Sequence, residues 1–217
     1  MYDFHLISLG HYEMLLLNLG ILSLIALALY RGERYLEGRR TLEMMSLLAV
    51  FGIAGRILLD PLPNIQPVTT VVLLAGIYYG GWRALALAGT IALTSNVLVL
   101  GHGAWTIFQV LGWGAVGFSG AVLSRFILDG DKLMVTRLAF VSAASAFVFD
   151  WIVSISILLE AGPSMLLPYL LNGLPFDLYH AAGNIAFVAW LAAPLGDMML
   201  RHRARPAIQA VSELVPN

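Results

Sequence analysis

The chain has 217 residues, of which 59% are hydrophobic and only 12% charged, and it has no cysteine and a formal net charge of −1. A soluble domain carries about 25% charged residues, so at a mean hydropathy of +0.84 most of this chain is expected to lie in lipid. Disulfides, thiolate metal sites and cysteine nucleophiles are excluded, and the near-neutral charge points away from nucleic acid.

The first residues, "MYDFHLISLGHYE", lack a basic stretch and carry Asp3 and Glu13, so they are not expected to be a cleaved signal peptide. Seven apolar segments follow: roughly 13–30, 41–59, 67–81, 83–100, 104–127, 137–160 and 174–200. About 20 apolar residues cross a bilayer, so the third is short. It abuts the fourth at "YGGWRA", a tight Gly-Gly connection, and reads equally as a half-helix. The fold class expected is an all-α integral membrane protein in one domain, with a short cytoplasmic tail over 201–217.

Basic residues set the expected topology. Arg31, Arg34, Arg39 and Arg40 fall between spans one and two, Arg83 between three and four, and Arg125, Lys132 and Arg137 around the link between five and six. Arg201, Arg203 and Arg205 follow span seven, so eleven of the twelve basic residues share one side. The positive-inside rule makes that side cytoplasmic, with the N-terminus outside and the C-terminus inside. Arg56, in "FGIAGRILLDPLPN", is the exception. It reads either as an arginine that snorkels or pairs with Asp60 at i+4, or as a cation facing an outer cavity.

Polar groups gather toward the outer ends of several spans. Arg56, Asp60, Asn64, Gln66 and Thr69 surround the link between spans two and three; Asn96 ends span four and His102 follows in a loop. Trp105, Gln109 and Trp113 recur at i, i+4 and i+8 on span five. In "GLPFDLYHAAGNIAF", Asp177, His180 and Asn184 at i, i+3 and i+7 form one stripe, which is costly against lipid. Asp150 lies deeper in span six. Each residue alone reads more simply as a belt anchor or interhelical glue, but their common depth on separate helices fits a small-molecule pocket. The links "DPLPNIQP" and "AGPSMLLPYLLNGLP" are expected to lie over its mouth as lids.

Other chemistries find no support. Lys132, the only lysine, precedes Leu133, so there is no Walker A loop and no Schiff-base lysine within a span. Neither His-Glu-x-x-His nor Gly-x-Ser-x-Gly occurs. No cofactor and no metal site is expected. A membrane enzyme using Asp177 and His180 as an acid–base pair stays open as the alternative. Small residues crowd Gly52, Ala54 and Gly55 in span two, Gly112, Gly114, Gly117 and Gly120 in span five, and Ser142 and Ala146 in span six. They serve either internal packing or the docking of a membrane partner.

"LPNIQPVTTVVLLAGIYYG", "TSNVLVLGHGAWTIFQVLGWGAVGFSG" and "GLPFDLYHAAGNIAF" together resemble the substrate-binding S-components of energy-coupling factor (ECF) vitamin transporters, closest to the cobalamin-associated branch. The resemblance covers roughly residues 41–200. It implies a six-helix core that captures a vitamin from outside a prokaryotic cell and docks on a transmembrane coupling subunit carrying two ATPases. Span one would be an added N-terminal helix. The core's first helix lacks a clean Ala-xxx-Ala coupling motif and shows Ser46, Ala49, Gly52 and Gly55 instead. The substrate-binding residues expected are Arg56, Asn64, Gln66, Thr69, Asn96, Trp105, Gln109, Trp113, Asp177, His180 and Asn184. A corrinoid would need a wide mouth capped by 60–67 and 161–174, where His102 or His180 could approach cobalt.

Overall fold

A computed structural model describes residues 9–33 and 39–202. Arg34, Arg203, Arg205 and the expected tail beyond residue 202 lie outside the described residues. Among the described residues nine α-helices run in chain order: α1 (His11–Glu33), α2 (Arg39–Leu58), α3 (Val68–Tyr79), α4 (Gly81–Ser95), α5 (Trp105–Val122), α6 (Ser124–Ile127), α7 (Val135–Ser154), α8 (Ile157–Glu160) and α9 (Leu166–His202). A π turn, Asn96–Leu100, extends α4, and a two-residue hairpin pairs Leu128 with Leu133 and Asp129 with Lys132. Six of the helical stretches are long and apolar enough to cross a membrane. Their outward side chains are apolar, such as Leu16 and Leu22 on α1, Val50 on α2, Phe140 on α7 and Trp190 on α9. That is the surface lipid requires, and the chain is an all-α, multi-pass membrane protein.

The short third segment is the centre of the bundle. Every residue of α3 from Val68 to Tyr79 is buried, and the helix touches α2, α4, α5, α7 and α9. Twelve residues rise about 18 Å, well short of a hydrocarbon core of about 30 Å. The chain from Leu59 to Pro67 covers the difference without a helix, so this loop descends into the bundle. Irregular backbone at such depth has to be enclosed by protein or line a cavity. At the other end one residue, Gly80 at φ 88°, turns α3 into α4, a conformation glycine adopts at little cost.

The small residues mostly face inward. A Cβ on Gly76 or Gly120 would strike the backbone carbonyl oxygens of Gly117 and Leu73, so α3 and α5 touch backbone to backbone. Gly52 and Gly55 meet Ile91 and Pro67, Gly112 meets Phe149 and Gly114 meets Leu85. Ser142 and Ala146 are fully buried, whereas Ala54 and Ser46 are exposed. Internal packing therefore accounts for the glycines of spans two and five.

The expected start of the last span needs correction. Residues 161–174 are not a lid-like loop throughout, because α9 begins at Leu166 and carries Pro175 and Pro194 inside it. Pro168 is the third residue of that helix, where a missing N–H costs nothing. Helix α1 packs on the outside against α4 and is largely exposed to lipid.

Candidate functional site

At the end of the bundle where α2 runs out and α3 begins, Arg56 turns inward and is only 5% exposed. Its Nε donates to Gln66 Oε1 at 3.2 Å, and its Nη1 to Ser95 Oγ at 2.6 Å and Asn96 Oδ1 at 2.7 Å. The guanidinium also lies 4.9 Å from the centroid of the Trp113 ring, a cation–π contact. The i+4 pairing with Asp60 does not form. Asp60 is exposed, and Arg56 has no carboxylate within ion-pair distance among the described residues.

From Arg56 a chain of donors runs head to tail toward α1. Asn96 Nδ2 donates to Thr106 Oγ1 at 2.9 Å and to Gln109 Oε1 at 2.7 Å. The Thr106 hydroxyl then has His102 Nδ1 as its acceptor at 3.0 Å, and His102 Nε2 donates to Asn18 Oδ1 at 2.8 Å. This assigns the Nε2–H tautomer to a neutral His102. Burial lowers the His102 pKa below its ordinary value, consistent with the neutral ring.

A second chain starts on the other side of Trp113. Its indole N–H donates to Thr69 Oγ1 at 3.1 Å, and the Thr69 hydroxyl meets His180 Nε2 at 2.8 Å. His180 Nδ1 meets Asp150 Oδ2 at 2.9 Å, and Asn64 Nδ2 reaches Asp150 Oδ1 at 3.4 Å. Since the Thr69 oxygen already accepts from Trp113, its own hydrogen points to Nε2, and Nδ1 carries the ring proton toward Asp150. Phe149 stacks on Trp113 at 4.4 Å and sets its edge to His180 at 5.6 Å.

The structure thus joins eight of the eleven expected site residues into one assembly: Arg56, Thr69, Asn96, Trp113 and His180 are buried, and Asn64, Gln66 and Gln109 are partly buried. The stripe on α9 does face protein, with Asp177, His180 and Asn184 all buried. Its members separate in function, however. His180 takes Asp150, not Asp177, as its carboxylate, which corrects the expected acid–base pair. Asp177 instead accepts from Trp151 Nε1 at 3.0 Å. Asn184 lies one turn deeper, donating to the Ser142 carbonyl at 2.9 Å, and its Oδ1 is buried without a partner. Trp105 packs against Gly101 and Gly103 of its own loop.

Asp150, Ser95, Thr106 and Phe149 belong to the assembly and were not among the expected binding residues. Asp150 had a signal of its own, a carboxylate inside "AFVFDWIV".

Thr69, His180 and Asp150 have the order of a hydroxyl, a base and an orienting carboxylate. Thr69 is 1% exposed and accepts from Trp113, so nothing approaches that hydroxyl in this packing. Both ring nitrogens of His102 and of His180 are engaged, and ligation of cobalt by either would first break a hydrogen bond. Among the described residues no three His, Cys, Asp or Glu side chains group to hold a metal ion.

No curated protein and no solved structure matches the chain. A family described as "Family of unknown function (DUF6580)" matches residues 37–206, a region that starts after α1 and takes in every element of the assembly except Asn18. The chain belongs to that family.

Proposed function

We propose that the chain is the membrane-embedded capture subunit of an ECF-type uptake transporter, taking a vitamin from outside and passing it through a separate coupling subunit and its two ATPases. One observation carries the reading. Side chains from α2, α3, α4, α5, α7 and the loop over residues 59–67 converge on Arg56 and Trp113, inside apolar walls at one end of a bundle. A small-molecule site needs that mixture. In this reading the Arg56 end faces the outside of a prokaryotic cell, and the end bearing Arg31, Arg83 and Arg201 faces the cytoplasm. The resemblance in sequence suggests a corrinoid first, but one scaffold serves many ligands. The engaged histidines favour hydrogen bonding over cobalt ligation. Capture draws on no nucleotide, because the chain has no phosphate-cradling loop.

The deciding experiment has two parts. Native mass spectrometry of protein purified from its own host identifies a retained ligand. Uptake of that ligand is then measured in cells with and without the coupling subunit and ATPases. Accumulation that needs all the components supports the proposal; binding that appears only after nucleotide is added sinks it.

The arrangement of Thr69, His180 and Asp150 favours one competing reading, an intramembrane acyl-transfer enzyme. Covalent labelling of Thr69 by a fluorophosphonate, lost on His180→Ala, would establish it in place of capture.

A further inference from the structure

We infer that the ligand of the Arg56 site is an anion, a carboxylate or phosphate group that supplies the contact counter-charge no side chain gives this arginine among the described residues. The inference rests on reading the site as a binding site and is independent of transport. A guanidinium stays protonated at any working pH, so Arg56 is a full positive charge at 5% exposure within an apolar bundle. Buried charges are normally paired in contact, yet every group that touches Arg56 among the described residues is neutral: Gln66, Ser95, Asn96 and the Trp113 ring. Asp60 acts on the guanidinium only through space, from an exposed position beyond ion-pair distance.

The carboxylates of the assembly are committed elsewhere, Asp150 to His180 and Asn64, Asp177 to Trp151. Arg56 Nη2 makes no hydrogen bond among the described residues. The three neutral partners fix the guanidinium plane through Nε and Nη1, which leaves the Nη2 side of the fork preset for an incoming oxyanion. The donor chain from Arg56 through Asn96 and Thr106 to His102 keeps those partners oriented.

The contrast inside the molecule supports the same conclusion. Arg83, the other arginine lodged between helices, donates to the carbonyls of Tyr79 and Gly32 near the C-terminal ends of α3 and α1. Helix C-terminal carbonyls carry partial negative charge. No backbone carbonyl accepts from the Arg56 side chain among the described residues.

The test is a thermal-shift titration of the full, detergent-purified protein with benzoate, nicotinate and inorganic phosphate, against benzamide, nicotinamide and chloride at equal ionic strength. At least one anion is expected to stabilise the native protein with an affinity about tenfold or more above that of its neutral amide or of chloride. The preference should vanish in Arg56→Gln, which keeps hydrogen-bonding capacity and removes the charge. Amides that stabilise as well as their acids overturn the inference. So does a panel in which no anion exceeds chloride, or an acid preference that survives in Arg56→Gln. The two proposals fail separately. An acid that binds but is never accumulated by cells holding the coupling subunits leaves this inference standing and sinks transport. Saturable, component-dependent uptake of a neutral compound alone does the reverse.

Discussion

The two ends of the bundle each hold a buried or half-buried arginine, and they use it in opposite ways. At one end Arg83 spans two helix ends, with Nη2 on the Gly32 carbonyl at 3.1 Å and Nη1 on the Tyr79 carbonyl at 3.4 Å. Tyr79 in turn donates to the Met199 carbonyl, and Thr41 to that of His202. Side chains there reach backbone carbonyls of α1, α3 and α9. At the other end Arg56 meets only side chains, drawn from the loop over 59–67, from α4 with its π turn, and from α5. A backbone partner fixes a fold whatever its sequence. A set of side-chain partners from separate elements is a feature of this sequence, and it makes the Arg56 end the specific one.

Breaking the polar end at Asp150 should have the largest effect. Asp150→Ala removes the carboxylate that His180 and Asn64 share, and leaves the imidazole N–H buried without an acceptor. A neutral donor left buried and unsatisfied costs about 1–3 kcal/mol, and Asn64 loses its acceptor as well. The melting temperature should fall steeply, and Asp177→Ala, whose partner Trp151 is half exposed, should cost visibly less. Equal losses would mean that the two carboxylates play the same structural part.

Arginine-to-lysine changes at the two ends sharpen the comparison directly. Arg56→Lys keeps the charge but cannot hold Gln66, Ser95 and Asn96 while presenting a further donor. Ligand affinity, for the compound retained by the native protein or for the best-binding acid, should fall by about 1.5–3 kcal/mol, the worth of a charged hydrogen bond. Arg83→Lys should leave that affinity unchanged. Normal affinity in Arg56→Lys would mean that the ligand does not use the planar fork and that the inward bonds of Arg56 serve the packing alone.

A smaller effect is expected at the Arg83 end. Arg83→Gln withdraws two long hydrogen bonds from backbone carbonyls, and also removes a buried Nε that has no partner. The first change costs roughly 0.5–1.5 kcal/mol for each bond, and the second offsets part of it. A melting shift of a few degrees with unaltered binding is the expected pair of readings. A change in binding would show that the two ends are coupled through α3 and α4.

Much of this was open to inspection in the sequence. Long apolar runs punctuated by arginines located the six long helices, and the unusual shortness of 67–81 marked α3. The start of α9 differs from the expectation: "AGPSMLLPYLLNGLP" is expected as a lid, whereas Pro168 sits in the first turn of the helix and Pro175 is carried within it. Helical spacing correctly turned Asp177, His180 and Asn184 inward. It could not name their partners, because His180 and Asp150 are thirty residues apart and meet only through the packing of α7 on α9. Trp105 shares the spacing of Gln109 and Trp113, and its ring lies against Gly101 and Gly103 of the preceding loop.

The smallest effect concerns His102, the link between the polar end and α1. Burial holds its pKa below the ordinary value of 6.5, so the folded protein binds fewer protons here than the unfolded chain once pH falls through that value. Stability from this residue is therefore complete above about 6.5, declines as pH drops from 6.5 to the lowered folded pKa, and is flat below it. Protonation also gives Nδ1 a hydrogen where the Thr106 hydroxyl now donates, so that hydroxyl has to turn and the donor chain from Arg56 ends at Thr106. His102→Gln should remove this part of the slope, seen as the difference between melting–pH curves of the native and variant proteins. The difference should be confined to the acidic side of pH 6.5. Parallel curves for native and His102→Gln proteins would mean that His102 takes up its proton as freely in the folded bundle as in the unfolded chain.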